Sequence, residues 1–115
     1  MEGNQYQQLA ARTLSDRPEV PLTSDETMMV WCALGLTGEA GEVAELVKKG
    51  VFHRHGIDRD KLAKELGDVL WYVAGLCTRA GLTLEEVMAL NIEKLKARYP
   101  EGFSSDGSIN RVDKE

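Results

Sequence analysis

Long apolar runs, strand-like alternation, cysteine motifs and surplus positive charge are all scarce or missing in this 115-residue chain. The longest dense apolar stretch, 28–36, falls far short of the roughly 20 residues that a bilayer-spanning helix needs, so no membrane partner is expected. The two cysteines, Cys32 and Cys77, belong to no CxxC or Cys/His cluster. Both lie in apolar helical stretches and read as buried free thiols, which behave as small hydrophobes. With no signal peptide in view, this usage points to the reducing cytoplasm. The formal net charge of -5 argues against a nucleic-acid polymer or an anionic membrane, both of which need a basic patch. A single nucleotide is not excluded, because a metal ion can supply the positive charge. No stretch alternates apolar and polar residues between turn signals, so no strand is predicted.

What is present is helical periodicity and its punctuation. A first helix is expected over 5–14, ended by Asp16-Arg17-Pro18. Thr23 and Glu26 form a capping-box pattern opening a second helix over 24–49, with Gly50 as its stop. A loop over 51–57 holds His53 and His55, and Asp58 is the N-cap of a third helix reaching Ala80, stopped by Gly81. Thr83 and Glu86 repeat the capping box for a fourth helix over 84–98, which Pro100 ends. The expected architecture is therefore all-α: a bundle of four to five helices in one domain, 1–103, followed by a polar tail, 104–115.

Acidic pairs stand out on two of these helices. On the third, Leu62, Leu66, Val69, Val73 and Leu76 form a narrow apolar stripe, with Lys61, Glu65, Asp68 and Tyr72 along one flank of it. On the second, Cys32, Leu36, Val43 and Leu46 lie within about 60° of Glu39 on the helical wheel, with Glu42 next round that face. Trp31 and Lys49 align with Glu42. Partly desolvated carboxylates repel one another and are costly to keep charged, and a hard divalent cation with oxygen ligands relieves this. The Glu39/Glu42 and Glu65/Asp68 spacings each put two carboxylates within reach of one ion. Acidic pairs at this spacing also occur on plainly solvated helix faces, so periodicity leaves both readings open.

Three further features each carry two readings. Gly35, Gly38 and Gly41 recur every three residues and mark either a close helix crossing or the approach of a ligand. Asn91, Lys94 and Arg98 share one face of the fourth helix. Asn91 is aligned with Leu84 and Val87 and so expected to point inward, while the two cations either contact phosphate or complement the helix dipole. His53 and His55 are either solvated loop residues or ligands. Trp71 lies almost opposite the apolar stripe, where a second subunit would bury it.

Three motifs in order then resemble a known family. They are Gly-Glu-Ala-Gly-Glu at 38–42, Lys-Glu-Leu-Gly-Asp-Val-Leu-Trp-Tyr at 64–72 and Asn-Ile-Glu-Lys-Leu-Lys-Ala-Arg-Tyr-Pro at 91–100. Together they look like the MazG-like nucleoside triphosphate pyrophosphohydrolases of the all-α NTP pyrophosphatase superfamily, over roughly 27–103. Gly38 stands where the family pattern has its first Glu, and the remaining four acids match it. The resemblance implies that Glu39, Glu42, Glu65 and Asp68 are catalytic Mg²⁺ ligands, with Mn²⁺ as a substitute. It implies that Tyr72, Asn91, Lys94 and Arg98 contact substrate; beside these, Trp31 is a stacking candidate and Lys49 a further candidate substrate contact.

The implied reaction is hydrolysis of a (deoxy)nucleoside triphosphate between its α- and β-phosphates, serving nucleotide-pool house-cleaning. One of the four acids, Glu39 or Glu42, would instead orient the attacking water. The resemblance also implies a homodimer or homotetramer. Two alternatives stand beside it: the related phosphoribosyl-ATP pyrophosphohydrolases, and a non-catalytic helical interaction module whose carboxylates face solvent.

Overall fold

Three capping signals in the sequence set the helix starts in the computed structural model, which describes residues 1–14 and 20–110. The Thr23 hydroxyl accepts from the Glu26 N–H at 3.1 Å, and the Glu26 carboxylate accepts from the Thr23 N–H at 2.8 Å. Thr83 and Glu86 do the same at 3.1 and 2.7 Å. Asp58 accepts from the Lys61 N–H at 3.1 Å. Each pairing satisfies backbone donors that the first helical turn leaves orphaned. The helices are α1 (Gly3–Ala11), α2 (Ser24–Phe52), α3 (Arg59–Ala80), α4 (Leu84–Arg98) and α5 (Ser105–Asn110). The architecture is all-α, and no β-strand forms among the described residues. The expected Asp16-Arg17-Pro18 break and the last five residues lie outside them.

The helix ends separate two kinds of glycine. Gly81 sits in the left-handed region at φ 72° and closes α3, with the Leu82 N–H reaching back to the Cys77 carbonyl at 2.9 Å. This is the expected glycine stop. Gly50 is not one, because α2 continues through it to Phe52. The loop instead folds back over Gly50: the Gly56 N–H donates to the Gly50 carbonyl at 3.1 Å. A Cβ at Gly50 would lie 2.9 Å from the Gly56 carbonyl oxygen and 2.7 Å from the Ile57 side chain. The residue is small so that the loop can approach, and the reversal itself falls on Arg54 (φ 62°) and Gly56 (φ 76°). Two more departures are smaller. α1 begins at Gly3 and ends at Ala11, and part of the expected tail forms the short α5.

α2 and α3 pair side by side as an antiparallel hairpin, which carries nearly all the packing between helices. Cys32 and Cys77 are the buried hydrophobic residues, both free thiols as expected. Val43, Leu46, Leu62, Val69 and Leu76 are half-buried, while Leu66 and Leu70 remain exposed. Trp31 and Trp71 are 54% and 61% exposed. α4 meets α3 closely only in a limited region. The radius of gyration is 20.0 Å, against about 13 Å for a compact domain of this length. The accessible surface is 9839 Å², against roughly 6,200 Å² for a typical monomer of this mass. The chain is thus an open hairpin with appended helices, and many of its large apolar side chains stay exposed among the described residues.

Candidate metal centre

The groove between α2 and α3 brings Glu39 of one acidic pair to both members of the other. Glu39 lies on α2 one turn past Gly35, and its wheel position puts it beside Cys32, Leu36 and Val43 at the seam. Glu65 and Asp68 lie one turn apart on α3 and face it across the groove. Carboxylate oxygens of Glu39, Glu65 and Asp68 all fall within 4.8 Å of one another. Glu39 and Glu65 are half-buried and Asp68 is exposed. Glu42, also exposed, lies beyond this trio and lines the adjoining cleft with Glu65.

The electrostatics register the crowding. The Glu39 carboxyl is held above its ordinary value of 4.5, first by partial burial, then by the charge of Asp68, then by a hydrogen bond and repulsion from Glu65, with Glu42 adding to it. Three carboxylates this close, without a cation among them, disfavour full ionisation. Their donor set is all oxygen, which is what a hard divalent ion such as Mg²⁺ or Mn²⁺ accepts. The residues present therefore fit such an ion.

Tyr72 stands one turn beyond Asp68, half-buried against α2. Gly35 makes room for it, since a Cβ at Gly35 would collide with the Tyr72 ring. Of the three recurring glycines, only Gly35 meets such a neighbour, as nothing lies within 4 Å of a Cβ built at Gly38 or Gly41. Trp71 packs edge-on against Tyr72, with ring centres 5.0 Å apart. Trp31 is exposed on α2.

At the other end of the groove, a cleft of about 340 Å³ is lined by Glu42, Lys49, His55, Lys61 and Glu65 among others. Lys49 also pairs with Glu45 at 3.5 Å, and Lys48 does so at 3.2 Å. These lysines hold the Glu45 carboxyl below its ordinary range, Lys48 foremost.

The α4 candidates lie apart from this groove. Asn91 is exposed rather than turned inward, and Lys94 and Arg98 are half-buried on a helix that does not line the cleft. Arg98 lies 5.8 Å from the Tyr99 ring centre. The wheel aligns Asn91 with Leu84 and Val87, and those two are half-buried, but the close approach of α4 to α3 is limited and Asn91 itself stays exposed. Sequence reasoning gives Lys61 no role, although it shares the flank of Glu65, Asp68 and Tyr72, and leaves His55 open between a solvated loop residue and a ligand.

Fold and groove together define a class: a helical protein whose long antiparallel hairpin presents clustered carboxylates suited to a divalent cation. Residues 26–103 match the family model of the MazG nucleotide pyrophosphohydrolase domain, and the chain belongs to that family. It is also 40% identical over 85 residues to the "Gene 37 protein" of Mycobacterium phage L5, an alignment covering 70% of this chain and 75% of the phage protein. No solved structure matches it.

Proposed function

We propose that the protein hydrolyses a nucleoside triphosphate to the monophosphate and pyrophosphate, using Mg²⁺ held by Glu39, Glu42, Glu65 and Asp68, with Mn²⁺ able to substitute. The observation that carries this reading is the convergence of Glu39, Glu65 and Asp68 within 4.8 Å in a chain of the MazG family. When bound, the cation neutralises charge developing on the phosphoryl oxygens. One of the four, Glu39 or Glu42, would instead orient the attacking water as base. Tyr72, wedged into the notch at Gly35, forms one wall for the nucleoside, with Trp31 as a stacking surface.

Lys94, Arg98 and Asn91 serve the substrate from a second copy of the chain. The open shape of one protomer supports this, as do its exposed tryptophans. We take the assembly to be a homodimer or homotetramer, working in the reducing cytoplasm where its two free thiols persist. No helix among the described residues is long and apolar enough to cross a membrane.

The test is a panel of nucleoside triphosphates incubated with Mg²⁺ and followed for pyrophosphate release. At least one should be cleaved, and Asp68→Asn should abolish the reaction with helical circular dichroism unchanged. Full activity in that variant would defeat the assignment.

A further inference from the structure

The groove between α2 and α3 has a direction. Along α2 the order is Gly35, Glu39, Glu42, Lys49, and along the antiparallel α3 it is Tyr72, Asp68, Glu65, Lys61. It therefore passes from an aromatic ring, through the carboxylate trio, to an end where Lys49, Lys61 and His55 stand among the carboxylates of Glu42, Glu45 and Asp58. At this end Lys61 stands about 6 Å along the helix from Glu65, and Lys49 about 10 Å from Glu42. A lysine stem covers the shorter of these gaps and part of the longer one.

The loop that closes this end is fixed rather than loose. The His55 N–H donates to the Lys49 carbonyl at 3.4 Å and the Gly56 N–H to the Gly50 carbonyl at 3.1 Å. Gly50 lacks the Cβ that would push the loop off. His55 is thereby set into the lining of the same cleft as Lys49 and Lys61.

We propose that Lys61 and His55, assisted by Lys49, seat the pyrophosphate end of the nucleoside triphosphate. The nucleotide is then laid along the groove with its nucleoside toward Tyr72. This rests on the reading of the carboxylates as metal ligands.

Lys61 carries most of the role. It makes no ion pair among the described residues, whereas Lys49 is shared with Glu45. Asp58, which also lines the cleft, accepts from the Lys61 backbone N–H, while the Lys61 ammonium forms no ion pair with it. The two terminal phosphates carry most of the substrate's charge and need cationic partners besides the metal. Among the described residues of one protomer, this end of the groove offers them, since Lys94 and Arg98 do not line the cleft.

The test uses the full chain with Mg²⁺ and compares wild type with Lys61→Ala, Lys61→Arg, His55→Ala and Lys64→Ala. Lys64 is an exposed α3 lysine outside the cleft lining, so its variant removes equal charge without touching the proposed seat. Inhibition by inorganic pyrophosphate and by nucleoside monophosphate is measured, with calorimetric binding of pyrophosphate as a readout independent of turnover. Lys61→Ala should weaken pyrophosphate about tenfold, the worth of one charge-assisted hydrogen bond. The KM for triphosphate should rise in parallel while monophosphate inhibition stays unchanged. His55→Ala should act in the same direction, Lys61→Arg should restore affinity, and Lys64→Ala should do nothing.

Equal loss for both products, equal loss in Lys64→Ala, or no change in pyrophosphate affinity overturns the proposal while leaving the hydrolase reading in place. A wild-type protein that cleaves no triphosphate overturns that reading, and the pyrophosphate seat with it.

Discussion

Gly35→Ala tests the local geometry most sharply, because two effects of known size oppose each other there. Replacing glycine by alanine inside a helix is worth about 0.5–1 kcal/mol in favour of the fold. At Gly35 the added Cβ would run into the Tyr72 ring. Forcing a methyl into an occupied contact costs about 1–3 kcal/mol. The net expectation is destabilisation of about 0–2 kcal/mol. Unfolding entropy of about 2.1 cal/mol/K per residue makes each kcal/mol worth about 4 °C in Tm for this length.

The informative measurement is the same substitution in a Tyr72→Ala background. With the ring gone the collision vanishes, and Gly35→Ala should then stabilise by about 0.5–1 kcal/mol, so its sign reverses. The coupling between the two positions, about 1–3 kcal/mol, is read from chemical denaturation of the four proteins. Protein concentration must be held fixed, because self-association shifts apparent stability. Additive effects, or a Gly35→Ala that stabilises the wild-type background, would refute the close approach of α2 to Tyr72.

Three other outcomes are expected. Mg²⁺ at a hundred times its dissociation constant should stabilise the wild-type fold by about 2.7 kcal/mol relative to chelator, and Asp68→Asn should lose most of this in differential scanning calorimetry. In metal-free protein, Glu39 has a folded-state pKa raised above 4.5, so the native state holds that proton more tightly than the unfolded one. Its contribution to stability therefore falls as pH rises through the window above 4.5 and is recovered on acidification. Glu39→Gln should flatten that part of the pH–stability curve, and Mg²⁺ affinity should weaken as pH drops into the same window. Leu34→Glu, at an exposed apolar position on α2, should reduce the sedimenting mass, whereas unchanged mass would place the subunit contact elsewhere.

Much of this architecture is legible without coordinates because it is set by local chemistry. Thr23/Glu26, Thr83/Glu86 and Asp58 each satisfy backbone donors within three residues, so the starts of α2, α3 and α4 follow from spacing alone. Gly81 ends α3 for an equally local reason, its positive φ. Gly50 misleads because its role is long-range accommodation of Gly56 and Ile57, which composition does not distinguish from a helix stop. The carboxylate trio is half legible. Wheel geometry puts Glu39, Glu65 and Asp68 beside apolar seams, but which seams meet depends on helix pairing. The same limit misplaces Asn91, which is exposed although Leu84 and Val87 on its face are half-buried, because how far along α4 the contact with α3 extends is not written in the periodicity. His55 is illegible for a different reason: its place in the cleft comes from backbone hydrogen bonds of a loop, and loops have no periodicity to read.

The open protomer and the acidic groove are aspects of one problem. An antiparallel pair of helices with two buried cysteines has little core to set against the repulsion of Glu39, Glu65 and Asp68 packed within 4.8 Å. If the carboxylates hold a metal and the chain self-associates as proposed, two binding events relieve that hairpin. A cation cancels the charge in the groove, and a second copy covers the tryptophans and leucines on the outer faces. Both act on the same helix pair, so each stabilises the form the other prefers, and linkage requires the effect to be mutual. Mg²⁺ should therefore tighten self-association, and dilution into monomer should weaken Mg²⁺ binding by the same factor. A protein whose groove were merely a solvated acidic face would show neither effect, because a cation held loosely by exposed carboxylates gains nothing from the pairing of two chains.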